Sequence, residues 1–222
     1  MTAHATQTVL FNKPKSIVNT VAEFLRESIV AGDLKPGQKI SSTKITKNLE
    51  VSNIPVREAF RILEREGLII SQPGRGSWVS KVSRKDLEDS FEMRVDLELF
   101  GVDLLKKLIE KKPETVEKLK KIDILEQSAN FGPESCLIFH RQLIELTENK
   151  RLLDLYDISF TFTRRYQRMT YTIRHGGDSC VEQHSAILKP LIEGNYEDAK
   201  KAIRYHLEDG LKRIKENVHL SK

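Results

Sequence analysis

Apolar residues recur at helical spacing from Ile17, with Val21, Leu25 and Ile29 following at intervals of four and Phe24 alongside. Gly32 stops this run, and Pro36-Gly37 marks a turn. A short helix is expected over residues 43–50, after Ser41-Ser42, followed by a tight connection over residues 52–55. A second helix then runs to about Glu66, with Val56, Ala59, Phe60 and Leu63 on its inner face, and Gly67 ends it. Leu68-Ile69-Ile70 and Ser77-Trp78-Val79 flank Pro73-Gly74-Arg75-Gly76, which predicts two short strands around a glycine-rich hairpin. Residues 1–14 are polar and patternless and read as a mobile tail.

From residue 84 onward the strand pattern does not return. A helical period runs through Leu87, Phe91, Val95, Glu98, Val102, Leu105 and Ile109. Breaks at Lys112-Pro113, Gly132-Pro133, His175-Gly176-Gly177 and Gly194-Asn195 divide the remainder into amphipathic helices, one of them interrupted near Asn149. Ser179-x-x-Glu182 has the spacing of a capping box, and Asn195 precedes a run with Asp198 at its third position. The fold class is therefore mainly α. A winged helix-turn-helix occupies residues 15–80, and an all-α helical bundle occupies residues 84–222, with the boundary at residues 80–84.

Charge sharpens this division. The net charge of +5 falls unevenly: residues 1–80 carry +4 and the remainder +1. A small basic head on a nearly neutral body suits a polyanion-binding module. No apolar run is long enough to span a bilayer, and the N-terminus lacks the charged and apolar regions of a secretion signal. Two cysteines, Cys136 and Cys180, make no disulfide framework, so a cytoplasmic location is expected.

The helix after the turn carries Arg57 and Arg61 one turn apart on its outer face, with Asn53 just before it. A helix fits the major groove, where an Arg fork can hold guanine O6 and N7 and Asn can pair with adenine. The tip Gly74-Arg75-Gly76 allows close backbone approach and presents one guanidinium. Arg61 is equally well read as a solvated surface residue, and Lys44 and Lys47 are weaker phosphate candidates. These segments resemble the DNA-binding head of the GntR family: Asp33-Leu34-Lys35-Pro36-Gly37, then Val51-Ser52-Asn53-Ile54-Pro55-Val56-Arg57-Glu58-Ala59, Leu63-Glu64-x-Glu66-Gly67-Leu68 and Gly74-Arg75-Gly76. The resemblance places Ser52, Asn53, Arg57 and Gly74 to Gly76 at DNA-contact positions. Asn53 and Ile54 depart from it, since the family usually has Arg and then Ser or Thr there.

The body resembles the FadR-type FCD domain of the same family. The pieces that carry this are Glu92-Met93-Arg94, Phe139-His140-Arg141-x-Leu143 with Glu148-Asn149-Lys150, Glu182-x-His184-x-x-Ile187 and Ala202-x-x-x-His206-Leu207. The resemblance implies a divalent metal held by His140, His184 and His206, with the family's Asp replaced by Cys136. A thiolate with three imidazoles suits zinc. Cys180 precedes His184 by the same four residues that separate Cys136 from His140, so it stands as an alternative ligand. Arg94 has two readings, a carboxylate holder in an effector cavity or an intrahelical partner of Glu98.

The resulting expectation is a homodimeric regulator, a repressor before an activator, that binds double-stranded operator DNA and responds to a small carboxylate effector. One alternative is a regulator with a purely structural metal and no effector. A metal-dependent hydrolase is more remote, because the sequence has no H-E-x-x-H, P-loop or G-x-S-x-G, and no catalytic residue is expected.

Overall fold

The computed structural model describes residues 16–81, 83–128, 133–171 and 177–217. Within these, the side chains of residues 128, 133–137, 162, 166–171, 177–179 and 217 are outside the description. The expected tail, residues 1–14, and the break residues His175 and Gly176 also lie outside it. The main division into two compact units falls after Ser80.

The first unit runs α1 (Ile17–Ala31), β1 (Lys39–Ile40), α2 (Ser42–Leu49), α3 (Asn53–Arg65), β2 (Ile69–Gln72) and β3 (Gly76–Val79). Ser41 caps α2, its hydroxyl accepting from the Lys44 N–H at 3.3 Å. The helix ends at Glu50, in the left-handed region at φ 53°. The connection expected over residues 52–55 is shorter than predicted, because α3 already begins at Asn53. Pro55 is its third residue, where a missing N–H forfeits no intrahelical bond. The sheet also gains a strand: its order is β1-β3-β2, all antiparallel, with Lys39 opposite Trp78 and Ile40 opposite Ser77. A two-residue strand is too short to show a period in sequence. Val21, Leu25, Ile29, Val56, Leu63, Leu68 and Val79 form the buried core.

The described residues of the second unit form six helices: α4 (Arg84–Lys111), α5 (Thr115–Ser128), α6 (Pro133–Leu146), α7 (Lys150–Tyr171), α8 (Gly177–Glu193) and α9 (Tyr196–Asn217). Ser83 and Asp86 close a capping box at the start of α4. The interruption near Asn149 separates two helices: Glu148 turns into the left-handed region at φ 57°, and Asn149 Oδ1 accepts from the Leu152 N–H at 3.0 Å. Helix α8 starts at Gly177, two residues before the start expected at Ser179. Helix α4 packs against α7 and α9, and α8 against α5 and α9. Phe139, Leu143, Ile187, Leu188, Leu191, Ile203 and Leu207 are the centre of the core. Among the described residues, no helix is long and apolar enough to cross a membrane.

At Gly101, α4 lies close against Ile144 of α6. A Cβ there would meet Ile144 Cδ1 at 2.8 Å, with Leu152 and Thr147 at 3.9 Å. Gly101→Ala adds helix propensity worth about 1 kcal/mol, which offsets a small shift of Ile144. Gly101→Val cannot be absorbed in the same way. It is expected to destabilise the body by about 1–3 kcal/mol in urea denaturation followed by circular dichroism.

Candidate functional site

Helix α3 turns Val56, Ala59, Phe60 and Leu63 into the core and leaves the opposite face to solvent. Ser52 is the N-cap residue, but its side chain makes no cap hydrogen bond. Asn53, Arg57 and Arg61 are exposed, and they line a cleft of about 550 Å³ with Lys39 and Gly76. Arg57 has no ion pair among the described residues, whereas Arg61 Nη1 lies 2.9 Å from Glu58 Oε1. Ser52, Gly74 and Arg75 are exposed but do not line this cleft. At the hairpin tip Gly74 and Gly76 have φ of 71° and 118°, values that disfavour any side chain. The wing tip therefore keeps Arg75 exposed on a tight turn closed by its N–H to Gln72 O at 3.0 Å.

In the body, α6, α8 and α9 bring His140, His184 and His206 together, all buried, with candidate ligand nitrogens within 4.8 Å of one another. Each ring is held from behind through Nδ1. His140 Nδ1 lies 2.7 Å from Glu98 Oε2, His184 Nδ1 lies 2.6 Å from Glu126 Oε2, and His206 Nδ1 lies 2.6 Å from Gln183 Oε1. The Glu98 carboxylate at His140, the Gln183 amide oxygen at His206 and, when ionised, Glu126 at His184 select the tautomer that carries its proton on Nδ1 and leaves Nε2 with a lone pair. Burial lowers His140 to about 4 and His184 to about 3, and drives His206 well below its ordinary value, so all three are neutral at pH 7.

His140 Nε2 and His206 Nε2 are only 2.9 Å apart. Two lone pairs facing at that separation repel unless a proton or a cation lies between them. Both nitrogens can sit about 2.1 Å from one divalent ion. The donor set therefore fits a metal, and three imidazoles with oriented outer partners suit zinc chemistry. The rings are also packed in place: Phe139 stacks on His184 with centroids 3.8 Å apart at 14°.

Glu98 joins this cluster to Arg94. Its Oε1 accepts from Arg94 Nε at 2.7 Å and from the Tyr156 hydroxyl at 3.2 Å. Burial alone would raise the Glu98 carboxyl, but His140 and Arg94 outweigh it and hold it at about 2. Burial pushes Glu126 up to about 7. The Arg94 guanidinium is fully buried, 5.9 Å from the Phe91 ring centroid and 5.5 Å from that of Phe160. Of the two readings left open for Arg94, the intrahelical pair with Glu98 is present.

Cys136 lies one turn before His140 in α6, with its side chain outside the described residues. Cys180 is half-buried on α8 and is not part of the three-histidine group. Three residues of the site went unseen as partners of the histidines. Glu98 and Glu126 carried a signal, because each is a carboxylate on an otherwise apolar helical stripe, Glu126 following Leu119 and Ile122. Gln183 carried none.

Comparison with known proteins agrees with this division. Residues 17–79 match the family described as bacterial regulatory proteins, gntR family, and residues 89–209 match the FCD domain. The uncharacterized HTH-type transcriptional regulator YdhC of Bacillus subtilis is 26% identical over 197 residues, covering 86% of this chain and 88% of its own. The HTH-type transcriptional repressor RspR of Escherichia coli is 22% identical over 210 residues, covering 89% of each. A crystal structure of a protein from Rhodococcus sp. RHA1, described as a transcriptional regulator GntR, superposes with a TM-score of 0.70 at 25% identity, over 91% of this chain and 99% of that one. The chain belongs to the GntR family of bacterial regulatory proteins, with an FCD domain as its second domain, and is a DNA-binding transcription regulator.

Proposed function

We propose that this regulator is a cytoplasmic homodimeric repressor whose operator affinity is set by a small carboxylate bound beside a metal in the body. Residues 15–80 bind the operator. Ser52, Asn53 and Arg57 meet the duplex at the start of α3, with Arg61 beside them, and Gly74, Arg75 and Gly76 form the wing contact. Residues 84–222 hold the effector and the dimer interface. His140, His184 and His206 would hold zinc, with Cys136 as the fourth ligand and Arg94 adding positive charge behind Glu98. A bound zinc supplies a Lewis-acid position for a carboxylate oxygen. The protein's own part is to keep three neutral imidazoles aimed at one point.

The observation that carries the sensor half is the 2.9 Å approach of two imidazole Nε2 atoms whose Nδ1 atoms are both held by acceptors. The DNA half is tested by selecting duplexes from a random pool and titrating the winner. Affinity is expected to fall steeply between 50 and 200 mM salt, by roughly a thousandfold or more if six or more phosphates are contacted. Arg57→Ala is expected to weaken the selected duplex by about tenfold or more, the worth of a base-edge fork. No enrichment, or salt-independent binding, overturns the reading.

One observation favours a second reading, in which the metal only staples the fold and no effector binds: Arg94 Nε is already engaged by Glu98 at 2.7 Å. Under that reading chelation lowers the melting temperature and no carboxylate shifts it further.

A further inference from the structure

Ile54 is 74% exposed, more than any other large apolar side chain among the described residues. It is the second residue of α3. At 100° per residue, its direction lies within about 10° of the point opposite the mean of Val56, Ala59, Phe60 and Leu63, the buried stripe. Arg61, Arg65 and Glu58 fall within about 30° of that same outer direction, and Arg57 lies about 70° from it. An apolar branched side chain thus forms the crest of the helix face that carries the arginines. A surface helix has no packing reason to put isoleucine at the position farthest from its core.

We infer that Ile54 is a specificity-determining residue that packs against the 5-methyl group of a thymine in the operator major groove. The inference rests on the proposed operator binding by α3. Arg57, one turn from Ile54 and without an ion pair among the described residues, and Lys39 in the cleft that Arg57 lines outweigh Glu58, which is paired with Arg61, so a polyanion is the occupant that the charge favours. In the major groove the thymine methyl is the apolar group, and the other base-edge features are donors and acceptors. Isoleucine against a guanine O6 or a cytosine N4 would strip water from a polar atom and return no hydrogen bond. Isoleucine against a methyl loses nothing polar. Asn53, the preceding residue, has the side chain that pairs with adenine, so both residues at this end of α3 favour an A·T step.

The test uses the full chain and the duplex it selects, with each thymine replaced in turn by deoxyuridine, which lacks only the methyl group. One thymine per half-site is expected to weaken wild-type binding by about fivefold to tenfold when so replaced. Cytosine at that position should bind poorly and 5-methylcytosine should recover part of the loss, because its methyl occupies the same place in the groove. In Ile54→Ser the same deoxyuridine substitution should change affinity by less than twofold. This exposed replacement should leave the thermal unfolding midpoint unchanged. Wild-type binding that tolerates every deoxyuridine within twofold overturns the inference while leaving operator binding intact. So does an equal deoxyuridine effect in Ile54→Ser. A chain that selects no duplex at all removes both the inference and the reading beneath it.

Discussion

His184→Ala is expected to strip the body of its metal. Elemental analysis of the purified wild-type chain should find about one zinc per chain, and the variant should retain a small fraction of it. The argument is geometric. His184 is one of three buried imidazoles that converge, with Nδ1 tied to Glu126 at 2.6 Å and its ring stacked on Phe139. Losing an outer partner costs a metal site about 10–100-fold in affinity, so losing a ligand itself should cost more. Glu126→Gln supplies the graded comparison, with an expected loss inside that 10–100-fold range. Because metal bound only to the folded state stabilises it, chelation of the wild type should lower its melting temperature, by about 2.7 kcal/mol of stability at a hundred times the dissociation constant. Chelation should leave His184→Ala unmoved. Cys136→Ala losing zinc would identify the fourth ligand. Cys180→Ala should keep it, since Cys180 stands outside the three-histidine group. A wild type that takes up no zinc, even after incubation with it, sinks the metal reading, and the close Nε2 pair of His140 and His206 must then share a proton.

Much of this arrangement was legible from residue spacing. Val21, Leu25 and Ile29 of the four-residue period are the buried side of α1, whereas Ile17, which opens it, is exposed, and the glycines around Arg75 stand at positive φ. The body helices begin and end near the expected proline and glycine breaks, whereas other residues of these types, Gly101 and Pro190, lie inside α4 and α8. What escaped is what depends on distant partners. Strand β1 exists only because β3 offers it a ladder. Ser179 has a capping spacing, yet α8 extends past it to Gly177. The start of α3 was placed too late because Pro55 reads as a breaker, although a first-turn proline has no bond to break. In the site, the three histidines were legible through a resemblance, whereas their orientation was not. That orientation comes from Glu98 on α4, Glu126 on α5 and Gln183 on α8, three side chains brought to the rings by packing.

Glu98→Ala is expected to be the most damaging single change in the body, costing about 3–5 kcal/mol, the usual consequence of breaking a buried ion pair from one side. Glu98 receives Arg94 Nε at 2.7 Å, His140 Nδ1 at 2.7 Å and the Tyr156 hydroxyl at 3.2 Å, and Arg94 and Glu98 are 0% and 3% exposed. Alanine leaves the guanidinium in a dry interior without that carboxylate, leaves the Tyr156 hydroxyl without that acceptor, and opens a cavity. Against a total stability of about 5–15 kcal/mol this is a large fraction. The single tryptophan, Trp78, lies in the head, so its fluorescence follows unfolding of the first unit, whereas helical circular dichroism is dominated by the second. The urea midpoint read by circular dichroism should fall sharply in Glu98→Ala while the Trp78 transition stays put. A compensated double variant, Arg94→Met with Glu98→Leu, removes the charge together with its partner and should recover most of the loss. Metal affinity separates the two roles of the residue. It should stay 10–100-fold weakened even in the double variant, since His140 has lost the acceptor that fixes its Nδ1 proton. Equal stabilities for the single and double variants would mean that the cost is cavity and not charge, and unweakened zinc binding would mean that Glu98 does not orient His140.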